Sequence, residues 1–154
     1  MENTYTFISN SPEDTDKLAE KLAINLSPSG NLICLYGDIG SGKTTFVKSL
    51  AKHLGITEKV TSPSFVILNE YHSNNVSLYH FDLYRLEKEG VETIMDELKE
   101  YTEKENSVTV IEWAEFSPES LPENRIDIEI KYLGETSREF VIKKRGQSPL
   151  STLH

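Results

Sequence analysis

Residues 37–44 read Gly37-Asp38-Ile39-Gly40-Ser41-Gly42-Lys43-Thr44 and complete the pattern G-x-x-x-x-G-K-[ST], with Thr45 directly after. Three glycines within six residues suit neither a helix nor a strand. They suit a backbone that must wrap something. Glycines can take positive φ and carry no Cβ, so successive N–H groups can converge on phosphate oxygens. A helix starting near Lys43 would add its unpaired N–H groups and the positive end of its dipole. Lys43 is then expected to reach the β- and γ-phosphates as a flexible point charge. The Thr44 hydroxyl is placed to ligate Mg²⁺, and Thr45 lies nearer the α-phosphate. The chemistry to expect is nucleotide binding.

Such a loop needs a further acid on the metal side, usually at the C-terminal end of a buried strand. Two carboxylates qualify: Asp82 in "YHFDLYRL" and Glu112 in "TVIEWAE". Both follow apolar runs, so both can face the crevice beyond the strand ends. One not engaged by the metal could orient an attacking water. The sequence has no N-K-x-D guanine reader, which favours ATP over GTP. Arg85, Arg125, Arg138 and Arg145 are dispersed, with no arginine-rich lid. His72 is expected in a turn and His80 beside a strand end, without metal-ligand spacing. Trp113, Tyr79 and Tyr84 read as core rather than as stacking platforms.

The elements that must position these residues are legible in outline. Ser11-Pro12-Glu13-Asp14 is a helix start, and Leu18, Ala19, Leu22, Ala23 and Leu26 then recur at helical spacing. "LICLY" predicts a strand buried on both faces, directly before the glycine loop. Phe46, Val47, Leu50, Ala51 and Leu54 form the stripe of a helix stopped by Gly55. "VTSPSFVILNEY" and "VSLYHFDLYRL" around the polar residues 72–75 predict a hairpin. Val91, Ile94, Met95, Leu98 and Tyr101 predict another amphipathic helix. "VTVI", residues 108–111, predicts a second buried strand ending at Glu112. Ile126, Ile128, Ile130 and Tyr132 alternate with Asp127, Glu129 and Lys131, and with "REFVIKK" they predict a half-exposed terminal antiparallel hairpin. Alternating strands and helices closed by such a ribbon argue for one α/β domain over residues 1–144, with a disordered tail at 145–154. The expected architecture is a three-layer P-loop NTPase sandwich around a mixed, mostly parallel sheet.

Composition narrows the partners. The 154 residues carry a formal charge of −9, and 37% are hydrophobic against 27% charged. No apolar run approaches the roughly 20 residues that span a bilayer, and the acidic N-terminus lacks a signal-peptide core. Cys34 stands alone among apolar neighbours, as a small core residue would in a reducing cytoplasm. Residues 87–105 hold eight acids against three lysines, a solvated helix face. Autonomous nucleic-acid binding needs a basic face to displace phosphate counterions, so it is not expected here.

"GDIGSGKTTF", "SPSF" and "HFDLYRL", followed by "IEW", together resemble the bacterial ATPase family of tRNA threonylcarbamoyladenosine synthesis (TsaE/YjeE). The resemblance spans roughly Ser9 to Tyr132. It implies a small P-loop ATPase acting beside a heterodimer of the TsaB/TsaD type, which helps attach threonylcarbamoyl to the adenosine 3′ of the anticodon in ANN-reading tRNAs. It further implies that Gly37 to Thr45 cradle the phosphates and that Thr61, Ser62 and Pro63 form a switch-like loop near the γ-phosphate. Asp82 would be a catalytic acid, and Glu112 would replace the more usual Asp as the metal-side carboxylate. Ser41 and Ser64 stand where the family usually has Ala and Thr, both small replacements. A small-molecule kinase of the P-loop class is the competing reading, and a nucleotide-dependent binding switch is a third.

The loop makes a direct prediction. Lys43→Ala should weaken ATP binding strongly while the fold survives, because that position faces ligand. Calorimetry of nucleotide binding checks it, and unchanged affinity contradicts the P-loop reading.

Overall fold

In a computed structural model the chain is described over residues 3–26, 30–37, 42–57, 68–82, 98, 100–102, 104–113 and 121–146. The elements are β1 (Asn3–Ser9), α1 (Pro12–Ile24), β2 (Asn31–Tyr36), α2 (Lys43–His53), β3 (Leu68–His72), β4 (Ser77–Asp82), β5 (Ser107–Trp113), β6 (Arg125–Tyr132) and β7 (Arg138–Arg145). Leu98 and residues 100–102 are helical, in the segment where the amphipathic pattern predicts a helix. The seven strands form one sheet in the order β1-β7-β6-β2-β5-β4-β3.

The four central strands, β6, β2, β5 and β4, run parallel, and antiparallel pairs close both ends of the sheet. Only β3 and β7 oppose the common direction, so the sheet is mixed and mostly parallel as expected. β2 sits between β5 and β6 and is almost wholly buried, which is what its unbroken apolar run requires.

α1 and α2 pack side by side on one face. Ser11 caps α1 as its sequence predicts: its Oγ accepts from Asp14 N–H at 3.1 Å, and Pro12 takes the first turn. Leu18, Ala19 and Leu22 of α1 meet Phe46, Val47, Leu50 and Ala51 of α2 over Ile33, Leu35, Val110, Ile128 and Phe140 of the sheet. Between the helices, burial raises the Asp16 carboxyl, but hydrogen bonds from His53 and Lys52 and their charges outweigh it and hold it below its ordinary value. That link therefore contributes at neutral pH and is lost as the pH falls through the lowered value. The opposite face is a smaller cluster of Leu32, Cys34, Tyr79, Phe81, Ile111 and Leu121 covered by Leu98 and Tyr101. Cys34 is buried there, and Tyr79 packs against Tyr101 with ring centroids 4.7 Å apart and the rings tilted by 56°.

Several boundaries differ from the sequence reading. β1 is a strand that the sequence reading did not contain; it pairs with β7 from Asn3↔Lys144 to Ser9↔Arg138. β5 continues through Glu112 to Trp113. His72 ends β3, opposite Ser77, and the turn follows it, closed by Ser73 N–H donating to Val76 O at 2.8 Å. β6 is half exposed as expected, with Ile126, Ile128 and Ile130 buried and Glu129 and Lys131 outward, except that Asp127 is buried on the outward face. That carboxylate is neutralised by Arg125 Nε at 3.1 Å and Arg145 Nε at 2.9 Å, and Tyr36 Oη donates to it at 3.4 Å. Arg145, where the tail was expected to begin, is thus the last residue of β7, and residues 147–154 lie outside the described ones.

Phe46 and Phe140 link α2 to β7, with ring centroids 5.5 Å apart and both rings fully buried. Phe46→Ala should cost about 3–5 kcal/mol of folding stability. A urea-denaturation midpoint measures it.

Candidate nucleotide site

The site is built where three parallel strands end at the same height. Register places Leu35 of β2 beside Glu112 of β5, and Glu112 beside Asp82 of β4. Residues matched in register on neighbouring strands project to the same face. Leu35 packs toward α1 and α2, so both carboxylates lie on the α2 side of the sheet. Just past Tyr36 the chain turns into the glycine loop, and the loop ends in α2. The two acids and the loop thus share one edge of the sheet, where ligands of open α/β sheets sit.

The loop's conformation follows from its glycines. Gly37 has φ +154° and Gly42 has φ +105°, both in territory that a side chain disfavours. Gly42 is the N-cap of α2, where no side chain caps the helix and no acid lies in the first turn. No acid in the first turn competes for that end, and the helix dipole favours an anion there. Lys43 is 8% exposed and curls back, its Nζ donating to Gly37 O at 2.7 Å. The cation therefore spans the mouth of the loop. Thr44 is half-buried in the first turn and Thr45 is exposed. A hydroxyl and two carboxylates are hard oxygen donors, which fits Mg²⁺ held jointly by protein and phosphates rather than by an all-protein cage. Asp38, Gly40, Ser41, Thr61, Ser62 and Pro63, together with Arg85 and Tyr84, lie outside the described residues.

Two residues join this site that the sequence reading named but did not assign to it. His80, expected as a neighbour of the strand end, is 0% exposed and pairs through Nε2 with Glu112 Oε2. Glu112 itself is only 3% exposed. Spacing could have hinted at this, since His80 and Asp82 are two apart on one strand and so share a face. Arg138 opens β7 far from the loop in sequence, yet a methyl group placed on Gly42 would sit 3.9 Å from its Nε. Its Nη1 donates to Gly134 O at 2.6 Å and Ser137 O at 3.0 Å, and its guanidinium stacks 4.5 Å over the Tyr132 ring. A fixed positive charge thus stands beside the loop, where the dispersed arginines of the sequence suggested none.

The fold and this loop define a P-loop NTPase-like α/β protein. The family model described as "Threonylcarbamoyl adenosine biosynthesis protein TsaE" matches residues 9–140. The chain belongs to the TsaE family. It is 41% identical over 135 residues to the tRNA threonylcarbamoyladenosine biosynthesis protein TsaE of Bacillus subtilis (strain 168), covering 88% of this chain and 82% of that protein. The protein of the same description from Treponema pallidum (strain Nichols) is 36% identical over 135 residues, covering 88% and 97%. The crystal structure of Bacillus subtilis YdiB superposes with a TM-score of 0.76 at 35% identity, covering 95% of this chain and 88% of that one.

The space beside Gly42 would admit a methyl group at ordinary contact distance, so only backbone strain opposes a side chain there. Gly42→Ala should therefore cost roughly 1–2 kcal/mol and loosen nucleotide binding. Urea denaturation and calorimetry read the two effects separately.

Proposed function

We propose that this chain is the Mg²⁺-dependent ATPase subunit of tRNA threonylcarbamoylation. In this reading it couples ATP binding and hydrolysis to a heterodimer of the TsaB/TsaD type. That complex modifies the adenosine 3′ to the anticodon of ANN-reading tRNAs in the cytoplasm. The observation that carries this reading is the N-terminus of α2, entered through left-handed Gly42 with Lys43 folded back on Gly37, on the same edge as the carboxylates Asp82 and Glu112.

In this reading the backbone of Gly37 to Thr45, with Asp38, Gly40, Ser41 and Gly42 between, wraps the phosphates. Lys43 exchanges its bond to Gly37 O for phosphate oxygens. Mg²⁺ bound with the nucleotide supplies charge neutralisation across the β- and γ-phosphates. Thr44 and Glu112 are the protein groups that hold it. Asp82 is half-buried beside Glu112 and orients the attacking water. Thr61, Ser62 and Pro63 form the segment that reports the γ-phosphate to a partner. The net charge of −9 leaves tRNA binding to the partner. Among the described residues no helix is long and apolar enough to cross a membrane.

The test is steady-state ATPase and tRNA binding at about 50 mM salt, where unscreened repulsion is strong, with and without the partner heterodimer. Slow hydrolysis and negligible tRNA affinity are expected of the chain alone, with acceleration in the complex. A group supplied in trans can contribute roughly a thousandfold or more. Glu112→Gln should abolish Mg²⁺-dependent turnover, and Asp82→Asn should reduce turnover with a smaller effect on ATP affinity. Full-speed hydrolysis without partners, tight tRNA binding by the isolated chain, or phosphate transfer to a small molecule instead of water would each overturn the coupling reading.

A further inference from the structure

We infer that His80 is a positioning residue for Glu112: its Nε2–H holds Oε2, turning the other carboxylate oxygen toward the crevice where a nucleotide-bound Mg²⁺ would be met. This rests on the nucleotide reading above and adds a residue to it. His80 and Glu112 come from adjacent parallel strands, and the register Asp82↔Glu112 sets His80 one diagonal step below the acid pair. All three side chains project to the same face.

The surroundings of the pair are apolar. Leu78 precedes His80 on that face of β4, and Val108 and Val110 precede Glu112 on β5. A buried ionic or polar pair is poor value as a stabiliser, since apolar side chains of similar volume often serve a core as well or better. Its presence in an otherwise hydrophobic layer therefore calls for another reason. An ionised carboxylate can only accept, so the shared hydrogen belongs to His80 Nε2. His80 Nδ1 is buried without a hydrogen-bond partner among the described residues. The bond to Glu112 is thus what orients the ring, and the ring in turn removes the rotational freedom of the carboxylate. Outer groups that fix a ligating carboxylate in this way commonly govern metal affinity.

The test uses the full chain, ADP and Mg²⁺, with two variants. His80→Gln keeps an N–H donor of similar reach, and His80→Met keeps comparable length without one. Calorimetry measures ADP affinity with and without Mg²⁺. The expectation is that His80→Met keeps its Mg²⁺-free affinity but loses about tenfold or more of the Mg²⁺-dependent gain. His80→Gln should restore most of it. A folded His80→Met with the full gain, or equal losses in both variants, overturns the inference and leaves His80 a core residue. If His80→Met does not fold, the ¹⁵N resonance of His80 Nε2 in the unaltered protein decides. It should move when Mg²⁺ joins the ADP complex and not with ADP alone; a resonance indifferent to Mg²⁺ overturns the inference. Failure of the unaltered protein to bind ADP at all is a separate result, which removes the nucleotide reading and this inference together.

Discussion

Parallel pairing of β2 with β5, and of β5 with β4, is the constraint on which the site depends. A hydrogen-bonded ladder fixes the relative height of neighbouring strands, and a slip of one residue would turn every side chain to the other face. Here the ladder aligns Leu35, Glu112 and Asp82. One slip on β5 would drive Glu112 into the cluster around Cys34 and Tyr79 and leave Asp82 as the lone acid of the pair at that edge. Val108 and Val110 on β5 are what make that slip costly, since they would leave the main core. Hydrophobic packing thereby sets where charge is available.

The same edge shows how a polar site is tolerated beside a core. Three buried ionisable groups there each have a counterpart: Lys43 a carbonyl, Glu112 an imidazole, Asp127 two guanidinium groups. An unpaired buried charge would cost far more than these arrangements do. The pairs differ in what a ligand could do to them. Lys43 is held by a single carbonyl, which under the proposed function it would give up for a phosphate oxygen. Asp127 is locked between β6 and β7 on the other side of the sheet and has the character of a structural tie.

Much of this was legible in the sequence where the causes are local. The glycine loop, the Ser11 cap and the stripe of α2 each depend on residues within a turn or two of one another. β2 was legible because a strand buried on both faces must be apolar throughout. β1 was not read, although Thr4 and Thr6 alternate with Tyr5 and Phe7 as in a strand; its partner β7 lies at the far end of the sequence, so the pairing that makes it part of the sheet has no local signal. The alternation in β6 was read correctly except at Asp127. Asp127 looked like a solvent-facing residue, and only the arrival of Arg125, Arg145 and Tyr36 from three positions in the chain makes its burial possible. Arg138 beside Gly42 and His80 against Glu112 are contacts between elements distant in sequence, which spacing alone does not encode. The loop residues 58–67, including Thr61 to Pro63, lie outside what the structure describes.

The strand order carries a consequence for how the chain comes together during synthesis. β2 is made early, but both of its ladder partners, β5 and β6, come much later, and β1 waits for β7 near the end of the chain. Pairings between distant segments are slow to form because the intervening loop must first be closed. While the ribosome is still adding β5 to β7, the apolar strand before the glycine loop has neither neighbour, and its exposed edges invite pairing with other chains. Completion of the C-terminal hairpin, with β1 recruited onto it, is the step that seals the sheet on that side. Truncation from the C-terminus would therefore do more than shorten an edge: it would orphan the first strand and uncover one side of β2.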